Sequence, residues 1–281
     1  MKIPRIQPFR YAILFLWGAM TLTGYGKASD DFEIELSERE TLSMVRIEPG
    51  VLLIPEEGAQ SDMQLNEDGE FIVTFDEEKE LRKEVPIDDG YWLGATPVTQ
   101  GQWKAVMGSN PSHFQVNSRN LPVENVSWEE VMEFCRKMTE RERSEGRLPE
   151  GYVYTLPSEK QWEYAARAGT TTRWWFGNSE SDLSDHAWYE ANSRGRTRAV
   201  GRKSANPWGL YDVHGNVWEW TRSGARVNPE DFEATDDTFR VIRGGCFGSA
   251  AGFTSSDMHI GHTPDRRSNS IGFRLVLVAS P

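Results

Sequence analysis

The segment NPWGLYDVHGNVWEW, residues 206–220, sets three tryptophans and two carboxylates, Asp212 and Glu219, among turn-forming Gly and Asn residues. It lies in a half of the chain, from Gly169 onward, that is rich in Gly, Asn, Ser, Pro and Trp and carries no helix signals. A region of this length without regular elements is uncommon unless it is functional or is held by ions or caps. The chain shows no internal repeat and no clean linker, so one domain is expected.

The first half of the chain carries clear signals for strands and helices. Residues 32–55, FEIELSERETLSMVRIEPGVLLIP, alternate enough to predict strands. Three helix starts are marked by capping boxes, in which a Ser or Thr side chain and a Glu or Gln three residues later satisfy free backbone N–H groups. These pairs are Thr99 with Gln102, Ser127 with Glu130, and Ser158 with Gln161.

The second of these helices contains Cys135, one of two cysteines in the chain. The residues Val131, Phe134, Cys135 and Met138 follow the i, i+3, i+4, i+7 spacing of one apolar stripe. Cys135 is therefore predicted to be a small core residue rather than a reactive thiol.

The charge of the chain is divided unevenly. The formal net charge is −12, and the first 28 residues carry four basic residues and no acid, so the remainder carries −16. Such an acidic surface repels nucleic acid and anionic lipid, and neither is expected as a partner.

Residues 1–28 are predicted to be a signal peptide. Basic MKIPRIQPFR precedes an apolar run over Tyr11–Thr23, and small residues at Gly26 and Ala28 suit cleavage after Ala28. The apolar run is shorter than the roughly 20 residues that a membrane span needs. We predict a mature single domain over residues 29–281, exported to the periplasm or secreted, with no membrane contact beyond this segment. An uncleaved anchor is the alternative.

Six motifs occur in order along the chain: GYWLGATPVTQGQWKAVMG, LPVENVSWEEVMEFC, YTLPSEKQWEYAARAGT, NPWGLYDVHGNVWEW, RVIRGG and NSIGFRLV. Together they resemble the formylglycine-generating enzyme family, also called sulfatase-modifying factors. The resemblance runs from about Met44 to Val278. It implies an α+β fold of the C-type-lectin-like kind, with little regular secondary structure and few short helices.

The resemblance also implies a chemistry, for which this chain lacks one part. Active members of the family oxidise a sulfatase cysteine to formylglycine with O₂ and with copper held by two cysteines just after an RGGS motif. Here the motif reads RGGC, ending at Cys246, and no cysteine occurs from Phe247 to Pro281. Linear Cu(I) binding needs two soft sulfur ligands. We therefore predict that copper is not bound and that formylglycine is not generated.

Cys246 has two interpretations. It is either a reactive thiol beside a Gly-Gly turn, activated by Arg243, or a buried exchange for the family's serine at nearly equal size. A buried packing role is the favoured interpretation.

The resemblance implies a structural calcium ion bound by Asp212, Gly215, Val217 and Glu219. Calcium binds hard oxygens, and here two side-chain carboxylates would combine with two backbone carbonyls from a turn. The alternative is that Asp212 and Glu219 only form ion pairs with neighbours such as Arg222. A second calcium site would involve Asn192, but the loop that follows is basic and lacks the expected acid.

The stretch DMHIGH supplies another candidate metal site, formed by Asp257, His259 and His262. One carboxylate and two imidazoles could bind a borderline metal ion. The alternative is a polar loop with surface histidines. His214, within VHGN, is predicted to be a hydrogen-bonded packing residue.

These observations leave two principal hypotheses on function. The first is an exported binding or accessory protein that is stabilised by calcium and recognises a peptide, glycan or small molecule. The second is an oxidase of different mechanism that uses Cys246 or the Asp257, His259 and His262 trio. An authentic formylglycine-generating enzyme is a third hypothesis, against which the missing cysteine pair argues.

Overall fold

The computed structural model of the protein describes residues 31–55, 62–65, 71–74, 82–116, 118–226 and 235–280. The predicted signal peptide, residues 1–28, lies outside the described residues and remains a prediction. In the parts of the chain that are described, no helix is long and apolar enough to cross a bilayer.

The described strands, in chain order, are β1 (Phe32–Ser37), β2 (Glu40–Ile47), β3 (Gly50–Pro55), β4 (Asp62–Leu65), β5 (Phe71–Thr74), β6 (Arg82–Ile87), β7 (Tyr91–Gly94), β8 (Tyr152–Thr155), β9 (Trp218–Arg226), β10 (Thr235–Arg243), β11 (His259–His262), β12 (Ile271–Gly272) and β13 (Val276–Ala279). Five of them form an antiparallel sheet in the order β1-β2-β7-β13-β8. A second sheet has the order β11-β10-β9-β12, with β12 parallel to β9. The pairs β3-β6 and β4-β5 form separate two-stranded sheets.

The helices are α1 (Gln100–Met107), α2 (Trp128–Ser144), α3 (Glu159–Arg167), α4 (Leu183–His186) and α5 (Glu190–Ser193). Short 3-10 turns lie at Ser118–Asn120, Glu180–Asp182 and Ala251–Thr254. The three predicted capping boxes are confirmed, since α1, α2 and α3 each begin with both reciprocal hydrogen bonds in place. The mixture of sheets and short helices confirms the expected α+β fold.

The apolar stripe of α2 is buried in the main core, as its spacing predicts. Val131, Phe134 and Met138 are fully buried there, and Cys135 is 1% exposed. Burying each large apolar side chain contributes roughly 1.5–3 kcal/mol to folding. Cys135 is a free thiol whose pKa is raised by burial, so its predicted packing role is confirmed.

The loop-rich half of the chain is organised by a close approach of three segments. Gly215 donates its backbone N–H to Gly244 O at 2.7 Å, and Asn216 donates to Trp188 O at 2.7 Å. Phe247 donates in turn to Asn216 O at 2.9 Å. The VHGN turn is thereby held between the segment that carries Trp188 and the RGGC turn, which places the candidate site residues next to one another.

Candidate functional site

Cys246 lies just after β10, where the chain turns through Gly244 and Gly245. Its side chain is 7% exposed and belongs to the main core. The Sγ atom lies 3.4 Å from Ser249 Oγ and accepts a hydrogen bond from Gly248 N at 3.4 Å. Ser249 Oγ also accepts from the backbone N–H of Cys246 at 3.0 Å. The thiol is therefore part of a small hydrogen-bonded turn that packs on apolar side chains.

The hydroxyls downstream of Cys246 serve the local structure. Thr254 is fully buried; its Oγ1 accepts from Trp174 Nε1 at 3.1 Å and donates to Ala251 O at 2.8 Å. Cys135, the other cysteine of the chain, lies within α2, and both cysteines are free. Ser249 and Thr254 therefore offer hydroxyl oxygens, which do not replace the second thiolate of the two-cysteine site that binds Cu(I) in the family.

Arg243, the arginine of the RGGC motif, is fully buried in a charged network. Its guanidinium pairs with Glu159, at 3.3 Å, and with Glu163. It also donates to Ser256 O at 2.9 Å and to Asp257 O at 2.7 Å. The charge of Arg243 is thus neutralised by two carboxylates of α3. Its guanidinium also holds the loop at residues 256–257, so these contacts, rather than the thiol of Cys246, occupy its donors.

Glu219 is fully buried, and both of its carboxylate oxygens accept hydrogen bonds. Arg274 donates from Nη2 to Oε1 at 2.7 Å and from Nε to Oε2 at 2.6 Å. Trp162 Nε1 donates to Oε2 at 2.7 Å. Arg222 was the ion-pair partner considered for the two carboxylates, but the ion-pair partner of Glu219 in the structure is Arg274.

Asp212 is the less completely paired of the two predicted calcium carboxylates. Its Oδ2 accepts from Gly201 N at 2.7 Å, while Oδ1 has only a long contact of 3.4 Å from Asn216 Nδ2. The side chain is 2% exposed, and burial raises the pKa of Asp212 to about 6. Both hydrogen bonds that Asp212 accepts come from neutral groups, whereas Glu219 is paired with the Arg274 guanidinium. The donor set therefore fits a hard cation at Asp212, while the charge of Glu219 is already compensated by Arg274.

Asn192, the candidate for a second calcium ion, is used to build α5. Its side-chain oxygen accepts from Tyr189 N at 3.0 Å, and its amide donates to Ala187 O at 2.8 Å. The chain that follows carries arginines at 194, 196 and 198. A cation site does not fit this basic surrounding.

The trio of Asp257, His259 and His262 is not assembled. His259 and His262 lie three residues apart on β11, and strand alternation directs side chains at that spacing to opposite faces. His259 Nδ1 lies instead 3.1 Å from Asp257 O. Over the described ranges, no three His, Cys, Asp or Glu side chains could hold a metal ion together. The metal site predicted from the DMHIGH spacing is corrected accordingly.

His214 is a packing residue, as predicted. Its Nδ1–H donates to Thr254 O at 2.8 Å, and Nε2 accepts from Trp175 N at 3.4 Å. Burial lowers the pKa of His214 to about 3, so the ring is neutral and links the VHGN turn to two neighbouring loops.

Three residues that organise the site, Arg274, Glu159 and Glu163, were not predicted from the sequence. All three are at most 2% exposed and form the ion pairs described above. A signal for Arg274 was present, since it interrupts the apolar stretch IGFRLVLV. A charged residue in such a stretch is buried only with a partner.

Comparisons with known proteins match this architecture. Residues 33–279 match the model of the sulfatase-modifying factor enzyme 1-like domain. The chain is 30% identical over 209 residues to the chaperone protein LppX of Paenibacillus barcinonensis, covering 58% of this chain and 71% of that protein. It is 29% identical over 199 residues to the inactive C-alpha-formylglycine-generating enzyme 2 of Bos taurus, covering 66% of this chain and 58% of that protein. The solved structure of Treponema denticola variable protein 1 superimposes with a TM-score of 0.73 at 26% identity, covering 90% and 100% of the two chains.

Proposed function

The chain belongs to the sulfatase-modifying factor family, and on that premise we propose that it is an exported, calcium-stabilised binding or accessory protein. In this proposal it lacks the copper-dependent oxidation carried out by the formylglycine-generating members. Its ligand is a peptide, glycan or small molecule in the exported compartment.

One observation carries the proposal: a single cysteine, Cys246, lies in the region where the family's chemistry needs two. Cys246 is buried in its turn, where its Sγ lies beside the hydroxyl of Ser249, and no cysteine follows it in the chain. One thiolate with hydroxyl neighbours would bind Cu(I) weakly. On this ground, copper-dependent oxidation of a substrate cysteine is not expected of this chain.

Calcium is proposed because the buried carboxylate of Asp212 accepts hydrogen bonds from neutral groups, Gly201 N and Asn216 Nδ2. Asp212, with the backbone carbonyls of Gly215 and Val217, would hold the ion beside the Glu219–Arg274 pair. When bound, calcium would neutralise the carboxylate that Arg274 leaves uncompensated. Asp212 itself accepts from Gly201 N, so it also joins the loop at residue 201 to the core.

Two relatives support a role without catalysis. One is described as inactive and another as a chaperone protein. This chain spans 58% of the length of the inactive relative, so the role is proposed for this chain on the grounds of its own missing sulfur.

Removal of calcium is expected to lower Tm by several degrees. An ion that binds only the folded state at 100 times its Kd stabilises that state by about 2.7 kcal/mol. For a chain of this size, about 2–4 °C of Tm accompanies each kcal/mol. Thermal unfolding with EDTA and with added calcium measures the difference.

The variants of Asp212 sharpen this test. Asp212→Ala should abolish the response to calcium, whereas Asp212→Asn, which keeps one oxygen ligand, should retain a weaker response. Asp182 is an exposed carboxylate, so Asp182→Asn serves as the matched control and should respond to calcium like the wild type. Purified protein that contains no calcium and melts at the same temperature in EDTA would contradict the assignment.

The absence of oxidation is tested with a sulfatase peptide of the form C-x-P-x-R, Cu(I) and O₂. No formylglycine product is expected by mass spectrometry, while an active family member run in parallel converts the peptide. Cys246→Ser should leave Tm within about 1 °C, because the exchange is nearly isosteric. Stoichiometric copper binding with formylglycine product would overturn the proposed function. Turnover of another substrate that disappears in Cys246→Ser would support the divergent oxidase instead.

A further inference from the structure

Beyond the predicted signal peptide, one surface loop of the chain carries a charge opposite to that of the whole protein. We call residues 193–203 the cationic loop; it contains no Asp or Glu, although the chain has a formal net charge of −12. Its basic residues are Arg194, Arg196, Arg198, Arg202 and Lys203. None of the five forms an ion pair with a residue that the structure describes, and Arg194, Arg196 and Arg202 are exposed. An uncompensated basic cluster on an acidic protein is a candidate surface for an anionic ligand.

The cationic loop is held in place by the buried VHGN region. Arg198 N donates to Asn216 Oδ1 at 3.0 Å, and Asn216 Nδ2 donates back to Arg198 O at 3.1 Å. Gly201 N donates to Asp212 Oδ2 at 2.7 Å. Arg198 Nε is fixed by Ser193 O at 2.9 Å. Because these contacts define the backbone of the loop and the position of Arg198, part of the cationic surface is arranged before any ligand arrives, which lowers the entropic cost of binding.

Two of the cations lie over one aromatic ring. Lys203 Nζ is 4.1 Å and the Arg198 guanidinium 5.5 Å from the ring centroid of Trp188. The indole Nε1–H of Trp188 is buried and has no acceptor among the described residues. The hydroxyl of Thr197, a residue 2% exposed within the loop, likewise lacks a described partner. The arrangement therefore places positive charge over an aromatic ring, while the two donors without described partners are shielded from solvent.

The electrostatic balance at the loop favours an added anion. The pKa of Arg198 is lowered by burial and then by the charges of Arg196 and Arg194. The carboxylates of Asp182, at the end of the 3-10 turn before α4, and of Asp185, within α4, act on His186, on which Lys203 also acts. These acids border the cluster on one side, and a compact anion would relieve the repulsion among the arginines.

We propose that the cationic loop and Trp188 bind a tetrahedral oxyanion, the sulfate or phosphate monoester group of a small ligand. Guanidinium groups bind such oxygens in a bidentate manner, and those of Arg194, Arg196 and Arg202 are exposed to a ligand. The strongly negative remainder of the chain repels extended polyanions, so a ligand with a single ester group is favoured over nucleic acid. This inference rests on the proposed binding role and names the chemical class of its ligand.

Isothermal titration calorimetry at constant ionic strength tests the proposal with glucose 6-sulfate and glucose 6-phosphate, using glucose as the neutral control. We expect one binding site for at least one ester and none for glucose. Arg198→Gln and Lys203→Gln should each weaken binding about 10-fold, since each removes a charge-assisted contact. Arg39→Gln, an exposed charge-matched control outside the loop, should bind like the wild type.

The two esters identify the source of the oxyanion. Preference for one ester, or equal binding of both, supports the site and states its selectivity. Lack of heat from both esters, or equal weakening by Arg39→Gln, would overturn it. Lys203→Gln keeps the test informative if Arg198→Gln unfolds, which the melting curve reports. A lack of ester binding would contradict the anion site but not the predicted lack of oxidation. Formylglycine product would contradict the proposed function but not the anion site.

Discussion

Arg274→Met is expected to lower the free energy of unfolding by about 3–5 kcal/mol and Tm by on the order of 10 °C. Arg274 is fully buried and donates to both oxygens of Glu219. Its removal leaves the buried carboxylate of Glu219 without its ion-pair partner and removes a positive charge that lowers the pKa of Asp212. Denaturant unfolding in EDTA measures the loss without compensation by calcium.

The contrast with an exposed ion pair isolates the effect of burial. Arg267 pairs with Glu130 at 2.7 Å, with side chains 47% and 32% exposed, and Arg267→Met should cost less than about 1 kcal/mol. The double variant Arg274→Met with Glu219→Gln should recover part of the lost stability, because it removes the uncompensated charge. Equal losses for Arg274→Met and Arg267→Met would show that the buried pair does not hold the site together.

Gly215→Ala is expected to cost about 3 kcal/mol or more. Gly215 has φ 79°, in the left-handed region, and a Cβ added there would lie 2.3 Å from Trp188 O. The backbone strain contributes about 1–2 kcal/mol, and forcing two backbone segments apart contributes a similar or larger amount. The variant should also lose the coupling between the VHGN turn and the segment that carries Trp188.

Gly169→Ala provides the matched control for this variant. Gly169 also has a positive φ, 87°, but a Cβ there would meet nothing within 4 Å. It should therefore cost only the backbone strain, about 1–2 kcal/mol. Thermal unfolding of the two variants side by side measures the difference, and equal destabilisation would mean that the contact with Trp188 O relaxes without cost.

The copper prediction depends on the sequence alone, whereas the calcium prediction also depends on which residues meet in the folded chain. The lack of a second cysteine after Cys246 is a fact of sequence alone. The calcium carboxylates were identified by resemblance, but their charge state depends on Arg274, which lies 55 residues beyond Glu219 in the chain. Sequence proximity suggested Arg222 instead, because local spacing carries no information on which segments meet in the core.

The sequence by itself determined the features that depend on near neighbours. Capping boxes at Thr99, Ser127 and Ser158 connect groups three residues apart, and the α2 stripe follows from helical periodicity. The family motifs likewise predicted the α+β fold. The capping boxes and the stripe could be predicted because their interactions are completed within a few residues, whereas the fold was predicted through the resemblance of ordered motifs.

Only the tertiary structure decided which distant groups share one site. Strand alternation separates His259 from His262 despite their suggestive spacing, and the VHGN turn meets Trp188 and Gly244 through backbone contacts. The cationic loop becomes a candidate anion site because Asn216 and Asp212 hold it beside Trp188. Buried charges must find partners wherever the packed chain supplies them, and that supply is set by the three-dimensional arrangement rather than by order along the chain.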